Sequence, residues 1–291
     1  MKNLSLGLLM ASVIATQPVF ACTKDGREGF LPKNDLFIPV DAKGISTIDE
    51  TEFNAVIDQV EGIYAPIVAE YGGKLEVVRK WSDGTVNAYA EQNGNIWKVS
   101  MFGGLARHRT ITADGFALVV CHEIGHHIGG VPRYAGDDWA SNEGQSDYFA
   151  TTKCLRRVWQ SEDNAAAVRR MEVPEFLTNA CSKAWPGSAL DRDICIRGGM
   201  AGDSVAKLFA ALSWSSRPPK FDTPDARQVS STQDSHPATQ CRLDTYFQGS
   251  LCEKSFNEEI GQKDEVSGTC HGSTGQSVGL RPRCWFKPSV Q

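Results

Sequence analysis

The stretch Cys121-His122-Glu123-Ile124-Gly125-His126-His127 decides the reading of this chain. It contains H-E-x-x-H, a pattern that on a helix makes a zinc site with its own general base. Residues four apart share one helical face, so His122 and His126 face a single metal together. Glu123 is turned by about 100° from His122, which sets its carboxylate beside the metal rather than on it. There it is placed to deprotonate the water that the metal activates.

A catalytic zinc site needs a third protein ligand and one open position. The extended pattern H-E-x-x-H-x-x-G-x-x-H would supply a third histidine. Gly129 matches it, but Pro132 stands where that histidine belongs and cannot bind metal. The other route is a carboxylate from a following helix. Glu143 lies 17 residues after His126, enough for a loop and a return, and Asp147 lies one helical turn further on. This suits Glu143 as third ligand. Asp147 would accept a hydrogen bond from a ligand histidine and so fix its tautomer. His127 points about 100° away from His126 and has a supporting or surface role. His108 and His271 stand in no ligand pattern and read as structural or surface residues.

Working outward, Thr51–Tyr71 carries apolar residues at helical spacing, with Asp49 or Thr51 as cap and Pro66 as a kink or restart. Leu75–Trp81, Thr85–Glu91 and Asn95–Phe102 read as strands separated by turns. Ala113–Ile128 is the metal-binding helix, stopped by Gly129-Gly130 and Pro132. A loop over 131–141 leads to a second helix from about Ser141 to Trp159. Residues 162–171 and 201–214 look helical, while 174–200 and 215–240 look loop-rich. From 241 onward Gly, Ser and Cys dominate, which predicts an irregular tail tied down by cysteines.

The chain has 291 residues, 41% hydrophobic and 22% charged, as expected of a globular protein. Its net charge of −5 argues against a nucleic-acid partner. Residues 1–21 have a short basic start, an apolar stretch and the small-residue pattern Val19-Phe20-Ala21, and read as a secretory signal. Cys22 directly follows and is a candidate for lipidation, which would tether the chain to a membrane. The mature chain shows no transmembrane helix. Eight further cysteines, Cys121, Cys154, Cys181, Cys195, Cys241, Cys252, Cys270 and Cys284, suit an exported, disulfide-bonded protein. The sequence-adjacent pairs 181/195, 241/252 and 270/284 would each close a short loop. Cys121 and Cys154 would join the two metal-binding helices, or Cys121 stays a buried thiol.

Together these segments resemble the zinc metallopeptidases related to HtpX and the CAAX prenyl protease, a gluzincin family. Val86-Asn87-Ala88-Tyr89-Ala90 resembles that family's N-A-[FY]-A strand, Gly103-Gly104-Leu105 its following turn, and Glu143 to Asp147 its E-x-x-[AS]-D helix. Ser235-His236-Pro237 with Arg242 downstream is a weaker match. By that likeness His236 and Arg242 lie near the active site and stabilise the developing oxyanion. The resemblance covers roughly residues 50–245. The family's membrane helices are absent, which is closer to its soluble periplasmic members. Cys121 replaces the family's usual alanine, and the tail has no counterpart there.

The resemblance implies an α+β, mainly helical, zincin-type domain over 22–245, with a small antiparallel sheet before the metal helix. A disulfide-tied tail, 246–291, packs on it. The implied activity is zinc-dependent endopeptidase, one Zn²⁺ per chain, acting on protein or peptide in the bacterial periplasm, at the outer membrane or outside the cell. The edge Val86–Glu91 would pair with an extended substrate. The other reading is a weakly active or autoinhibited binding or assembly module of the same fold.

Overall fold

The computed structural model describes residues 19–20, 29–43, 46–136, 138–213 and 218–289. Most of the signal-peptide reading, and the lipidation reading at Cys22, lie outside the described residues. No helix among those described is long and apolar enough to cross a membrane.

The fold is α+β. Helix α1 (Glu50–Glu70) starts at Asp49, whose side chain accepts from the Glu52 amide, a standard N-cap bond. Phe53, Ile57, Val60, Tyr64 and Val68 form its buried face, and the helix continues through Pro66. A two-residue strand β1 (Val19–Phe20) and strands β2 (Lys74–Lys80), β3 (Ala88–Asn93) and β4 (Ile96–Phe102) make one sheet in the order β1-β3-β4-β2.

The expected antiparallel sheet is corrected here: the sheet is mixed. β3 and β4 form an antiparallel hairpin, but β2 pairs with β4 in parallel, from Lys74 against Ile96 to Lys80 against Phe102. The cause lies in β4. Its second half, Val99 to Phe102, is buried without interruption, so it needs neighbours on both edges, unlike the half-exposed β2. The chain leaving β2 therefore crosses the end of β4 instead of turning back beside β2. The crossing is tight. A Cβ at Gly103 would lie 1.9 Å from Trp81 O, and one at Gly104 1.9 Å from Gly84 O. The buried Arg107 guanidinium then holds the crossing through the carbonyls of Trp81, Asp83 and Ile38.

Helix α2 (Gly103–Arg107) leads to α3 (Ala113–Ile128), capped by the Thr112 side chain, which accepts from the Gly115 amide. Helix α4 (Glu143–Phe149) is capped by Asn142. It passes through a π-helical turn, Ala150–Cys154, into α5 (Leu155–Trp159). Helix α6 (Asn164–Val168) is the short remnant of the helix expected over 162–171.

Residues 174–200 are mostly not loop. Helix α7 (Glu175–Ala184) and the 24-residue α8 (Ala189–Leu212) occupy them. The glycines and charges of 191–203 hid α8. Its helicity comes from tertiary packing: Ile194, Ala201, Val205 and Leu208 are buried against the body of the protein, and Gly202 lies close to Tyr246. Helix α9 (Thr239–Leu251) is a second correction, since the irregular tail was expected from 241. It runs unbroken across 245/246, and beyond it the described residues of the tail form only a 3₁₀ turn, Gly272–Thr274.

The cysteines pair 121–154, 181–195, 241–284 and 252–270, with Cα separations of 5.6 to 6.0 Å. The expected pairs 241/252 and 270/284 do not form. Cys241 and Cys252 stand at opposite ends of α9, about 16 Å apart at helical rise, beyond the reach of a disulfide. The tail instead bonds back to both ends of that helix. Trp285 Nε1 also donates to Thr245 Oγ1, and Tyr148 Oη donates to Gly279 O, so the tail braces α4 and α9.

The Cys121–Cys154 bond ties α3 to the π-turn and closes a 33-residue separation. Loop-closure entropy assigns it about 3–4 kcal/mol. The double variant Cys121→Ala/Cys154→Ala should lose about that much in urea unfolding, and a loss below about 1 kcal/mol would show that packing alone holds the two helices.

Candidate metal centre

α3 places the rings of His122 and His126 with centroids 4.7 Å apart and perpendicular planes. α4 is docked on it by backbone and side chain. The Ser141 amide donates to His126 O at 2.9 Å, and Gln145 Nε2 donates to Gly129 O at 2.7 Å. Arg281 from the tail donates in turn to Gln145 Oε1. This docking brings Glu143 to the histidines: its Oε2 lies 3.4 Å from His122 Nε2 and its Oε1 3.7 Å from His126 Nε2. One ligand atom from each of His122, His126 and Glu143 lies within 4.8 Å of the others, a group able to hold a metal ion.

The other ring nitrogens fix the tautomers. His126 Nδ1 is 2.7 Å from Ser141 O, a carbonyl that only accepts, so Nδ1 carries the proton. His122 Nδ1 lies 2.7 Å from Asp147 Oδ1. Both Nε2 atoms are thereby turned toward Glu143 and are available to a metal ion. Asp147 in turn accepts from Arg242 twice, Nε at 2.8 Å and Nη2 at 2.6 Å, and from Tyr246 Oη at 2.8 Å. Burial would raise the Asp147 pKa, but Arg242 and His122 outweigh it and hold the carboxylate below its usual range. Glu143 is held low in the same way against its burial, by His236, His122 and His126.

Glu123 is different. It is fully buried, burial pushes its pKa up to about 8, and neither carboxylate oxygen has a hydrogen-bond partner among the described residues. A buried polar group without a partner calls for an ion, a water or a reactive role. The two-nitrogen, one-carboxylate donor set beside it fits a divalent metal ion, zinc being one that takes such ligands.

Burial lowers the pKa of His126 to about 4. For His122 burial acts the same way, but Asp147 and Glu143 overcome it and raise the value to about 9. A raised value means that His122 holds a second proton below about pH 9, which a metal must displace. Metal affinity should therefore fall about tenfold for each pH unit below that value, as for any one-proton linkage. Chelator competition between pH 6 and 8.5 measures this; an affinity flat with pH would contradict the His122 ligand assignment.

His236 Nε2 lies 3.4 Å from Glu143 Oε2 and 3.0 Å from Gly29 O. Arg242, fully buried, is also 3.7 Å from Glu143 Oε2, and its Nη1 donates to Phe30 O at 3.1 Å. So the structure brings both weakly matched residues to the site, Arg242 chiefly as partner of Asp147. His127 does not face the metal group. It is buried between Trp97 and Trp139 in parallel stacks of 5.4 and 4.9 Å, which rules out the surface alternative. His108 and His271 are buried too, each bonded to a nearby hydroxyl, Thr110 and Ser273. A second grouping, Asp225 with Cys241 and Cys284, is accounted for by the disulfide.

Sequence reasoning missed Tyr134 and the segment Gly29–Leu31. Tyr134 Oη donates to Glu143 Oε1 at 2.8 Å, and its ring stacks on His126. It lies in a polar loop where no spacing rule marks an aromatic as functional. Comparison with protein-family models, with curated proteins and with solved structures found no match to this chain.

Proposed function

We propose that the protein is an exported zinc-dependent endopeptidase of gluzincin type. The observation that carries this reading is the fully buried, unpartnered Glu123 carboxylate one residue along from a His122-His126-Glu143 metal group. A purely structural metal site has no need of such a base. Zinc held there would supply Lewis acidity, polarising the scissile carbonyl and lowering the pKa of the attacking water.

The chain's own groups do the rest. Glu123 takes the proton from the water and passes it to the leaving amine. Its raised pKa suits a group that must both accept and return a proton near neutral pH. His236, with its Nε2 beside Glu143, donates to the carbonyl that develops negative charge. Asp147, gripped by Arg242 and Tyr246, holds the ring of His122, and Tyr134 holds Glu143. Four disulfide pairs support an oxidising compartment, the periplasm or outside the cell. The substrate is protein or peptide bound along the edge Val86–Glu91.

One observation favours a latent form of the same enzyme over an open one. His122, Glu123, His126 and Glu143 are all fully buried, and the Phe30 ring stands 4.9 Å from that of His122. The test is casein or peptide hydrolysis by wild type and Glu123→Gln, with zinc content measured in both. Zinc retained in both proteins with no hydrolysis by either would sink the enzyme reading.

A further inference from the structure

The groove beside the metal centre is filled by the chain itself. Residues 29–38 run antiparallel to 84–88, with Phe30 N donating to Ala88 O at 2.9 Å, Val86 N to Leu36 O at 3.3 Å and Ile38 N to Gly84 O at 2.7 Å. At the end nearest the metal group the contacts change character. Gly29 O accepts from His236 Nε2 at 3.0 Å, and Phe30 O from Arg242 Nη1 at 3.1 Å. Leu31 N donates to Asn87 Oδ1 at 2.9 Å, while Leu31 O accepts from Asn87 Nδ2 at 3.2 Å.

A strand in a sheet is held by a neighbouring backbone. Here side chains read the carbonyls of three successive residues, which is how an enzyme grips an extended peptide whatever its sequence. The side chains of Phe30 and Leu31 are both fully buried, and that of Phe30 lies against the metal group. The Phe30 ring is fully buried among His122, at 4.9 Å, Phe209, at 5.5 Å, and the Arg242 guanidinium, at 4.7 Å. The residue before it must be small. A Cβ at position 29 would lie 2.2 Å from Ala88 O and 2.6 Å from Asn87 Oδ1. The Gly29 carbonyl also shares its donor with the metal group, since the same His236 nitrogen is 3.4 Å from Glu143 Oε2.

We propose that Gly29-Phe30-Leu31 lies in the register of a substrate and that the site hydrolyses the Gly29–Phe30 bond of its own chain. This rests on the peptidase reading and names one substrate for it. The oxygen of one water bonds to the Gly29 carbonyl carbon, and Glu123 takes the proton that water gives up. The bond from that carbon to the Phe30 nitrogen breaks, and Glu123 returns the proton to the nitrogen. The products are a carboxyl group at Gly29 and an amine at Phe30, and the carboxyl proton passes to the amine to leave a carboxylate and an ammonium terminus. The same contacts imply a preference in other substrates for a small residue before the cut and a bulky apolar one after it.

The experiment is intact mass and N-terminal sequencing of zinc-loaded wild type and Glu123→Gln, with casein hydrolysis measured on the same samples. Wild type should begin at Phe30, and Glu123→Gln should keep the residues before it. An uncut Gly29–Phe30 bond in wild type that hydrolyses casein overturns the proposal and leaves the peptidase reading standing. The same cut in Glu123→Gln also overturns it, because another protease is then responsible. Loss of both activities with zinc bound overturns both. A second measurement needs no turnover. In metal-free protein, chymotrypsin should leave the bond after Phe30 intact in wild type and cut it in Asn87→Ala; cleavage of wild type there would show that the groove does not hold the segment.

Discussion

Glu123→Gln should lower peptide hydrolysis by about 10²–10⁴-fold, the usual contribution of a positioned general base, with metal content unchanged. The amide keeps the size of the carboxylate and cannot accept the water's proton. The structure gives reason to expect that nothing else moves. Glu123 stands outside the metal group, and its oxygens bond to no other described residue, so the substitution breaks no internal contact. Removing a buried acid whose pKa is raised by burial should also leave stability unchanged or slightly improved. Metal analysis and thermal melting check both points. A variant that loses zinc or unfolds would mean that Glu123 is a structural member of the site.

The second large effect is expected at Asp147. Asp147→Asn takes the nearer charged partner from the fully buried Arg242 guanidinium, leaving only Glu143 at 3.7 Å, and weakens the contact to His122 Nδ1. Breaking one side of a buried ion pair costs about 3–5 kcal/mol. Loss of a carboxylate behind a metal-binding histidine costs about 10–100-fold in metal affinity. Urea unfolding of metal-free protein reads the first and chelator competition the second. Arg242→Met in the same background should recover much of the stability, since it removes the orphaned charge, but none of the metal affinity. A single Asp147→Asn variant with unchanged stability and affinity would contradict the role given to this pair.

The metal group was legible because helical spacing is rigid. H-E-x-x-H fixes two rings on one face, and Glu143 with Asp147 repeats the same i, i+4 geometry on the next helix. The Cys121–Cys154 pairing was legible as an option for the same reason, because Cys121 adjoins His122 and Cys154 lies seven residues after Asp147 on the same face of the next inferred helix. What spacing could not carry was anything set by distant packing. The parallel pairing of β2 with β4 depends on where the chain crosses at Gly103-Gly104, and the strand patterns alone fit a meander equally well. The pairing of the four tail cysteines depends on α9, and Cys241 and Cys252 look close only if that stretch is irregular. α8 hides behind glycines that packing against α7 and α9 demands. Tyr134 and the Gly29–Leu31 segment reach the site from loop and leader, where position in space has no trace in the local pattern.

These pieces form one arrangement. The sheet presents the Asn87–Ala88 edge beside the metal helix, α4 returns with the carboxylates, and α9 delivers Arg242 and Tyr246 to Asp147. The tail cannot be treated as an appendage to this. Through Arg281, Trp285 and the disulfide at Cys241 it sets the position of α4 and α9, and with them the geometry around Glu143.

The most direct test is to follow metal and hydrolysis together on one sample of wild-type protein. The account predicts about one zinc per chain, peptide hydrolysis that disappears as chelation removes the metal, and recovery of both in step when zinc is returned. Hydrolysis that survives complete removal of the metal, or a fully zinc-loaded and folded protein that cleaves neither casein nor its own Gly29–Phe30 bond, would contradict it.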